Sequence, residues 1–173
     1  GHYTNALPPY EQFPCQPGTY QPSYGQLDCI DASPGHYVAD SASASQTPCG
    51  IGSYQPDSGE SSCIQSEPGN YVSDEGSIRQ NQCSSGTYQP SSGATDCLDA
   101  SPGYYVTGFG SEEQTPCAAG TYQILPGATS CFQAGPGFHV PSEGSDSQQQ
   151  CQPGTFSSQQ GQANLSLIHI SEP

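Results

Sequence analysis

The sequence predicts a small disulfide-rich fold of short β-hairpins and turns without helices, repeated in tandem as an elongated rod. Three observations predict it. The nine cysteines recur with alternating gaps of 14 and 20 residues, and a glycine recurs every 17 residues. No stretch shows the 3.6-residue apolar period of a helix. A fixed period of 34 residues is typical of arrays whose units stack on their neighbours.

The composition excludes a conventional hydrophobic core. Leu, Ile, Val and Phe together make up 22 of 173 residues, and the formal net charge is −15. Such a chain ordinarily stays disordered, because it cannot bury enough apolar surface to offset its conformational entropy. Regularly spaced cysteines in this context indicate a disulfide framework, and therefore an extracellular, secreted or cell-surface setting. Cytosolic metal-binding thiols typically show C-x2-C pairs, and the sequence has none.

The charge balance excludes nucleic-acid binding as a main activity. Sixteen carboxylates accompany one arginine, Arg79, and no lysine. Affinity for a phosphate backbone depends on several cationic side chains, and this chain has a single one. Every apolar run is far too short to span a bilayer, so we expect no direct membrane insertion of this fragment.

The cysteines define the repeat boundaries. We expect a partial repeat at 1–14 and a truncated fifth repeat at 151–164. The four complete repeats cover residues 15–48, 49–82, 83–116 and 117–150. Residues 165–173, LSLIHISEP, break the Gly/Ser/Gln composition, and we interpret them as translated sequencing-adapter sequence and not natural protein. The chain is therefore expected to be a fragment of a larger protein.

Each repeat divides into two modules of 17 residues, and each module has a glycine with an aromatic residue two positions later. The turn glycines are Gly18, Gly35, Gly52, Gly69, Gly86, Gly103, Gly120, Gly137 and Gly154. The aromatic residues are Tyr20, Tyr37, Tyr54, Tyr71, Tyr88, Tyr105, Tyr122 and Phe156, with His139 in the remaining slot. Pro-Gly pairs suit type II turns, and the residues after them favour strands. We expect the aromatic residues to form a packing spine on neighbouring disulfides or rings.

The two kinds of module differ at two positions. Cys modules carry two cysteines 14 residues apart; in the other kind, here called Gln modules, Ala or Ser replaces the first cysteine and Gln the second. Because both cysteines are missing together, we predict that they bond to each other where present. The predicted pairs are Cys15–Cys29, Cys49–Cys63, Cys83–Cys97 and Cys117–Cys131, with Cys151 unpaired by truncation. Pairing between cysteines 20 residues apart stays open as the alternative.

The block C-x-P-G-T-Y-Q-P-x-x-G-x-x-x-C resembles the ephrin-receptor-like cysteine-rich repeat of cell-surface proteins. It is more distantly similar to the single-disulfide module of tumour necrosis factor receptors. The residues that carry the resemblance are Cys15, Gly18, Tyr20, Gly25 and Cys29, with their copies over residues 1–164. Members usually follow the second cysteine with C-x-x-C, whereas Cys29-Ile30-Asp31-Ala32 lacks the last cysteine. The resemblance implies an extended extracellular segment of small disulfide-linked modules without catalysis.

Few residues are candidates for chemistry. We predict no catalytic residue, because His2 and His36 occupy the variable slot between glycine and tyrosine, and His139 replaces an aromatic residue. Calcium is the one cofactor considered, since acidic residues flank the second cysteine in alternate repeats. These candidate ligands are Asp28, Asp31, Asp96 and Asp99. Ser and Gln fill the same positions in the other repeats, so we favour solvated acids or hydrogen bonds to turn amides.

The sequence therefore predicts an extracellular structural spacer or stalk, and not an enzyme, whose contacts are the neighbouring repeats of the same chain. The alternative is a binding module of an adhesin or receptor that contacts an extracellular protein or glycan through one face. A binder is expected to cluster exposed apolar or aromatic side chains on that face. The non-periodic residues to place are Tyr24, Tyr104, Phe109 and Ile124.

Overall fold

Short antiparallel hairpins make up the fold. It is given by a computed structural model that describes residues 1–5, 11–157, 159–164 and the backbone of 166–167. Within those ranges the chain forms twenty strands and no helix. Each strand pairs with one other strand in a two-stranded antiparallel sheet. The predicted fold class of disulfide-linked hairpins without helices is confirmed. None of the described segments forms a helix able to cross a membrane.

Each hairpin consists of two consecutive strands of one module. In the Cys modules the strands are β3 (Thr19–Tyr20) with β4 (Ile30–Asp31), β7 (Ser53–Tyr54) with β8 (Ile64–Gln65), β11 (Thr87–Tyr88) with β12 (Leu98–Asp99), β15 (Thr121–Tyr122) with β16 (Phe132–Gln133), and β19 (Thr155–Phe156) with β20 (Ser166–Leu167). In the Gln modules they are β1 (His2–Thr4) with β2 (Gln12–Pro14), β5 (His36–Tyr37) with β6 (Thr47–Pro48), β9 (Asn70–Tyr71) with β10 (Asn81–Gln82), β13 (Tyr104–Tyr105) with β14 (Thr115–Pro116), and β17 (Phe138–His139) with β18 (Gln149–Gln150).

The segment interpreted as adapter sequence lies almost wholly outside the described residues. Only the backbone of 166–167 is described, and it pairs with β19 in the place that the second strand of a Cys module takes elsewhere. Because an antiparallel ladder is formed by backbone groups, this pairing carries no information on the origin of the segment. The adapter interpretation stays a prediction.

A tight turn precedes the first strand of each module. In the first Cys module the Thr19 amide donates to the Gln16 carbonyl over 3.0 Å, and Gly18 has a φ of +88°. Pro17 restricts its own φ, and Gly18 adopts the left-handed conformation without a Cβ clash, which is the geometry of a type II turn. The same bond recurs in the first Gln module, where His36 donates to Ser33. The turns therefore follow from the residues at these positions.

The described part of the chain divides into two compact units. Unit 1 comprises Gly1–Gln82 with Ser91–Asp96, and unit 2 comprises Cys83–Pro90 with the described residues from Cys97 onward. The division after Gln82 coincides with the expected start of the third repeat. The loop Ser91–Asp96 belongs to unit 1, where the carbonyl of its Ala94 accepts a hydrogen bond from the Val72 amide at 2.9 Å.

Backbone hydrogen bonds join successive modules within each unit. The Gly18 amide donates to the Val38 carbonyl at 2.7 Å, and the Gly18 carbonyl accepts from the Ala32 amide at 2.8 Å. The same two bonds recur at Gly35, Gly52, Gly86, Gly103, Gly120 and Gly137. Each of these glycines therefore uses both its donor and its acceptor to hold the following module, which gives every unit a continuous hydrogen-bonded framework.

Six turn glycines also lie against the backbone of the module after next, namely Gly18, Gly35, Gly52, Gly86, Gly103 and Gly120, whereas Gly137 and Gly154 have open space. A β-carbon built on Gly18 would overlap the carbonyl oxygen of Gly59 in unit 1. In unit 2 a β-carbon on Gly86 would overlap the carbonyl oxygen of Gly127 in the same way. Glycine is therefore required at these positions both for its positive φ and for the space that a side chain would occupy.

Small side chains, and not aromatic rings, form the core of each unit. The buried side chains lie three residues before and three residues after the turn glycine. In the Cys modules they are Cys15, Gln21, Cys49, Gln55, Cys83, Gln89, Cys117 and Gln123. In the Gln modules they are Ala32, Val38, Ser66, Val72, Ala100, Val106, Ala134 and Val140. Each complete module therefore contributes two buried side chains, none longer than glutamine, so a chain poor in large apolar residues can still form an interior.

Candidate binding surface

Four disulfides cross-link the Cys modules. Cys15–Cys29 and Cys49–Cys63 lie in unit 1, and Cys83–Cys97 and Cys117–Cys131 lie in unit 2. Their Cα atoms are 5.7 to 5.8 Å apart, within the normal range for a disulfide. The bonded cysteines are 14 residues apart, and the alternative spacing does not occur among the described residues. Four such bonds indicate folding in an oxidising environment.

Cys151 has a free thiol. Its expected partner position, 165, lies outside the described residues. Truncation as the reason for the odd cysteine stays a prediction.

A side-chain hydrogen bond replaces the disulfide in the Gln modules. Gln46 stands at the second cysteine position, and its Oε1 accepts from the Ser33 amide at 2.7 Å. The same bond joins Gln80 to Glu67, Gln114 to Ser101 and Gln148 to Gly135. The two kinds of module therefore share one hairpin geometry and differ in whether the link across it is covalent.

Hydrogen bonds satisfy the buried glutamines of the Cys modules. The Gln55 side-chain nitrogen donates to the Ser62 carbonyl at 2.9 Å, and its Oε1 accepts from the Asp57 amide at 3.0 Å. Gln21 and Gln123 make equivalent pairs of bonds. Burial of an amide is tolerated when its donor and acceptor are both paired. These glutamines therefore hold the loop of each Cys module from inside.

The aromatic residues of the expected spine lie at the border of this core. The tyrosines at these positions are half-buried, and Phe156 is exposed. Among the described residues, ring pairs occur between Tyr3 and Phe13 and between Tyr122 and Phe132, each within one hairpin. The spine stays a prediction. The buried Gln and Val positions were not predicted from the sequence.

The calcium candidates lie on the surface around the disulfides. Asp31 is exposed in β4, and Asp28 uses its backbone carbonyl to accept from Gln21 at 2.7 Å. Asp96 belongs to unit 1 and Asp99 to unit 2. Across the described ranges, no three His, Cys, Asp or Glu side chains are grouped so that they could hold a metal ion. Calcium binding stays a prediction.

The four non-periodic residues lie in different parts of the chain. Tyr24 is 93% exposed in a loop of unit 1. In unit 2, Phe109 and Ile124 are exposed in the loops of two successive modules. Tyr104 is half-buried in β13, with its hydroxyl group close to Gly144. Their positions in the repeat give no common slot shared by all four.

Comparison with known proteins gives no family for this chain. No protein-family model and no curated protein matches it. The resemblance to the ephrin-receptor-like repeat, carried by Cys15, Gly18, Tyr20, Gly25 and Cys29, therefore stays a prediction. Any proposed function must be argued from the structure of the modules.

One exposed apolar residue recurs in each complete repeat, and the sequence reasoning did not single it out. It begins the second strand of each Cys module, directly after the second cysteine. The four residues are Ile30, Ile64, Leu98 and Phe132, with 46%, 45%, 49% and 52% of their surface exposed. We call this position the apolar slot. One apolar residue in every 34 leaves no local hydrophobic period, so only alignment of the repeats with one another reveals it.

Hairpins of this geometry form without an apolar residue at that position. In the Gln modules the equivalent residues are Thr47, Asn81, Thr115 and Gln149, and Phe13 of the partial repeat is the exception. The register is the same in both kinds, since Tyr37 faces Thr47 as Tyr20 faces Ile30. The apolar slot is therefore not required for strand pairing.

An acidic residue follows the apolar slot in sequence once in each unit, and its side chain reaches the Cys module of the next repeat. In unit 1, Asp31 follows Ile30, and its carboxylate lies 3.6 Å from where a β-carbon on Gly59 of the next repeat would be. In unit 2, Asp99 follows Leu98 and reaches toward Gly127 at 3.5 Å in the same way. The slot surface of unit 1 comprises Tyr20, Ile30, Asp31, Tyr54 and Ile64, and that of unit 2 comprises Tyr88, Leu98, Asp99, Tyr122 and Phe132.

Proposed function

We propose that this chain is a structural spacer, a stalk segment of a larger secreted or cell-surface protein. The observation that supports it most is the pair of hydrogen bonds that ties each turn glycine, such as Gly18 or Gly86, to the following module. Each module of a unit is thereby held by its neighbours, and the glycine contact adds the module after next. An array of identical nearest-neighbour contacts can be lengthened by adding repeats without changing the fold.

The chemistry of the chain suits an extracellular stalk. Four disulfides fix the Cys modules covalently, which favours an oxidising setting. A formal net charge of −15 on 173 residues keeps such a segment soluble, because like charges repel one another. The resemblance to ephrin-receptor-like repeats of cell-surface proteins points to the same location.

Small-angle X-ray scattering on the oxidised full chain tests the spacer. A compact globule of 173 residues has a radius of gyration of about 16 Å, and the unfolded chain about 44 Å. A spacer is expected to give a value clearly between the two, with the linear cross-section region of a rod. A globular scattering profile, or one of a random coil, contradicts the proposal.

A binding role through one face is the second candidate function. The observation that favours it is the apolar slot, because Ile, Leu or Phe is exposed there although Thr, Asn or Gln serves the same hairpin position in the Gln modules. A spacer and a binding face are compatible in one chain, and they are tested by separate measurements.

A further inference from the structure

The slot surface of each unit fits one class of partner. We infer that it binds a cationic segment of another protein, in which Lys or Arg side chains alternate with apolar ones. This inference rests on the binding role and is independent of the spacer. It is argued from the exposure of the slot, the polar residues at the equivalent hairpin positions, and the charge beside the slot.

The slot residues are exposed although the hairpin does not require apolar side chains there. Ile30 and Ile64 of unit 1 are each about half exposed, as are Leu98 and Phe132 of unit 2. The Gln modules have polar side chains at this position, and the strand register is unchanged, as in Tyr37 opposite Thr47. Exposed apolar side chains that recur at one repeat position are available for a partner to cover.

The tyrosine across each hairpin enlarges the apolar area. Tyr20 faces Ile30 in unit 1, and Tyr122 faces Phe132 in unit 2 with ring centroids 6.0 Å apart. Both tyrosines are half-buried, so part of each ring is exposed beside the slot residue. Tyr and Phe are enriched at protein interfaces, and tyrosines are among the residues that most often carry a large share of the binding free energy.

Charge decides the class of partner. Asp31 is exposed and reaches toward Gly59, in the Cys module that carries Ile64, and Asp99 is exposed and reaches toward Gly127, in the module that carries Phe132. The one arginine of the chain, Arg79, belongs to a Gln module outside the slot surfaces. Attraction to these carboxylates favours Lys or Arg on the partner and raises the association rate. Apolar side chains of the partner then cover the slot residues.

The same charge disfavours a second copy of the chain. Two slot surfaces in contact would bring Asp31 or Asp99 of one chain toward carboxylates of the other, and each chain has a formal net charge of −15. Like charges placed opposite one another oppose association. A neutral glycan would cover the apolar slot without using the charge. Self-association of the chain and glycan binding are therefore two results that would contradict the inference.

The test measures binding of labelled peptides to the oxidised full chain by fluorescence anisotropy. The probe is a peptide of alternating Lys and Leu, and the comparison peptides alternate Lys with Ser and Glu with Leu. We expect saturable binding of the Lys/Leu peptide that is about tenfold tighter than that of either comparison peptide. Its affinity is also expected to fall with added salt, because exposed charges are screened.

The slot variant carries Ile30→Thr, Ile64→Asn, Leu98→Thr and Phe132→Gln. Each new residue is the one that the following Gln module has at the equivalent position, so the hairpins are expected to be preserved. The matched control carries four exposed apolar substitutions elsewhere, Leu27→Ser, Ile51→Ser, Ile78→Ser and Leu125→Ser. Mass analysis of the four disulfides verifies folding of both variants.

A charge variant, Asp31→Gln with Asp99→Gln, separates the two parts of the inference. Gln already stands at this position in the other complete repeats, as Gln65 and Gln133. It is expected to bind the Lys/Leu peptide about threefold more weakly, the effect of losing exposed ion pairs, with a smaller dependence on salt. Because the substitution is a natural one in the repeat, this variant remains informative even where the slot variant folds poorly.

The expected result is a loss of about tenfold in the slot variant and less than about twofold in the matched control. Absence of Lys/Leu binding to the parent chain, equal binding by the slot variant, or equal binding of the Glu/Leu peptide overturns the inference. Slot-dependent glycan binding or slot-dependent self-association also overturns it, although either leaves a binding role in place. None of these outcomes bears on the spacer, which the scattering profile tests by itself.

Discussion

At the scale of single residues, a turn glycine such as Gly52 meets two separate requirements. Gly52 has a φ of +80°, and a β-carbon on it would overlap the carbonyl oxygen of Gly93. Gly25 has a φ of +74° with open space around it. Gly50 has open space and an ordinary φ. The three positions therefore separate the cost of the left-handed conformation from the cost of steric overlap.

Alanine substitutions at these positions are expected to form a graded series. Gly50→Ala should change the free energy of unfolding by less than about 0.5 kcal/mol, and Gly25→Ala should lower it by about 1 kcal/mol through its φ. Gly52→Ala should lower it by more than about 3 kcal/mol, because the backbone of the later module must also move. Urea denaturation of the oxidised variants measures the series, and equal losses for Gly25→Ala and Gly52→Ala contradict the packing account.

At the scale of the hairpin, one backbone geometry accommodates a disulfide or a glutamine. The register of β5 with β6 repeats that of β3 with β4, 17 residues later in the chain. Cys15 and Ala32 are both fully buried at the first position, and Gln46 at the second position makes a hydrogen bond where Cys29 makes a covalent one. The covalent link is therefore a property of the side chains and not of the fold.

A fifth disulfide is expected to form when Ala32→Cys is combined with Gln46→Cys in a Cys151→Ser background. The new loop matches the native loops, and closing about 15 residues stabilises by about 3 kcal/mol in the chain-entropy description. Non-reducing peptide mapping and thermal unfolding measure the result. Ala32→Cys alone serves as the control and should keep a free thiol. Two free thiols in the double variant, or exchange with the native pairs, would show that the modules differ in geometry.

Much of the hairpin followed from the sequence, because its determinants are local. Cysteines that appear and vanish together gave the pairing, and Pro-Gly pairs such as Pro17-Gly18 gave the turns. The core positions could not be found in the same way, since Gln21 and Val38 occupy equivalent buried sites with opposite polarity. The period of hydrophobic residues cannot reveal a core position that holds a hydrogen-bonded amide in one module and an aliphatic side chain in the next.

At the scale of the whole molecule, the structure accounts for how a chain with a disordered-type composition is folded. The interior of each unit consists of cysteine, alanine, serine, valine and glutamine side chains with the turn glycines, and backbone hydrogen bonds join successive modules within the unit. The contacts between modules join residues that are far apart in the sequence. They depend on the positions of glycines and carbonyl groups, so no single stretch of sequence predicts them. The disulfides compensate for the small apolar area by restricting the unfolded chain.

We conclude that the disulfides sustain the hydrogen bonds between modules. Amide hydrogen exchange of the full chain, oxidised and then reduced and alkylated, tests it at the amides of Gly18, Gly52, Gly86 and Gly120, which bond the following modules. We predict protected amides in the oxidised chain. Reduction should lower their protection together by at least about a hundredfold, which corresponds to the ~3 kcal/mol expected for one disulfide loop. Protection that survives reduction unchanged would contradict the account.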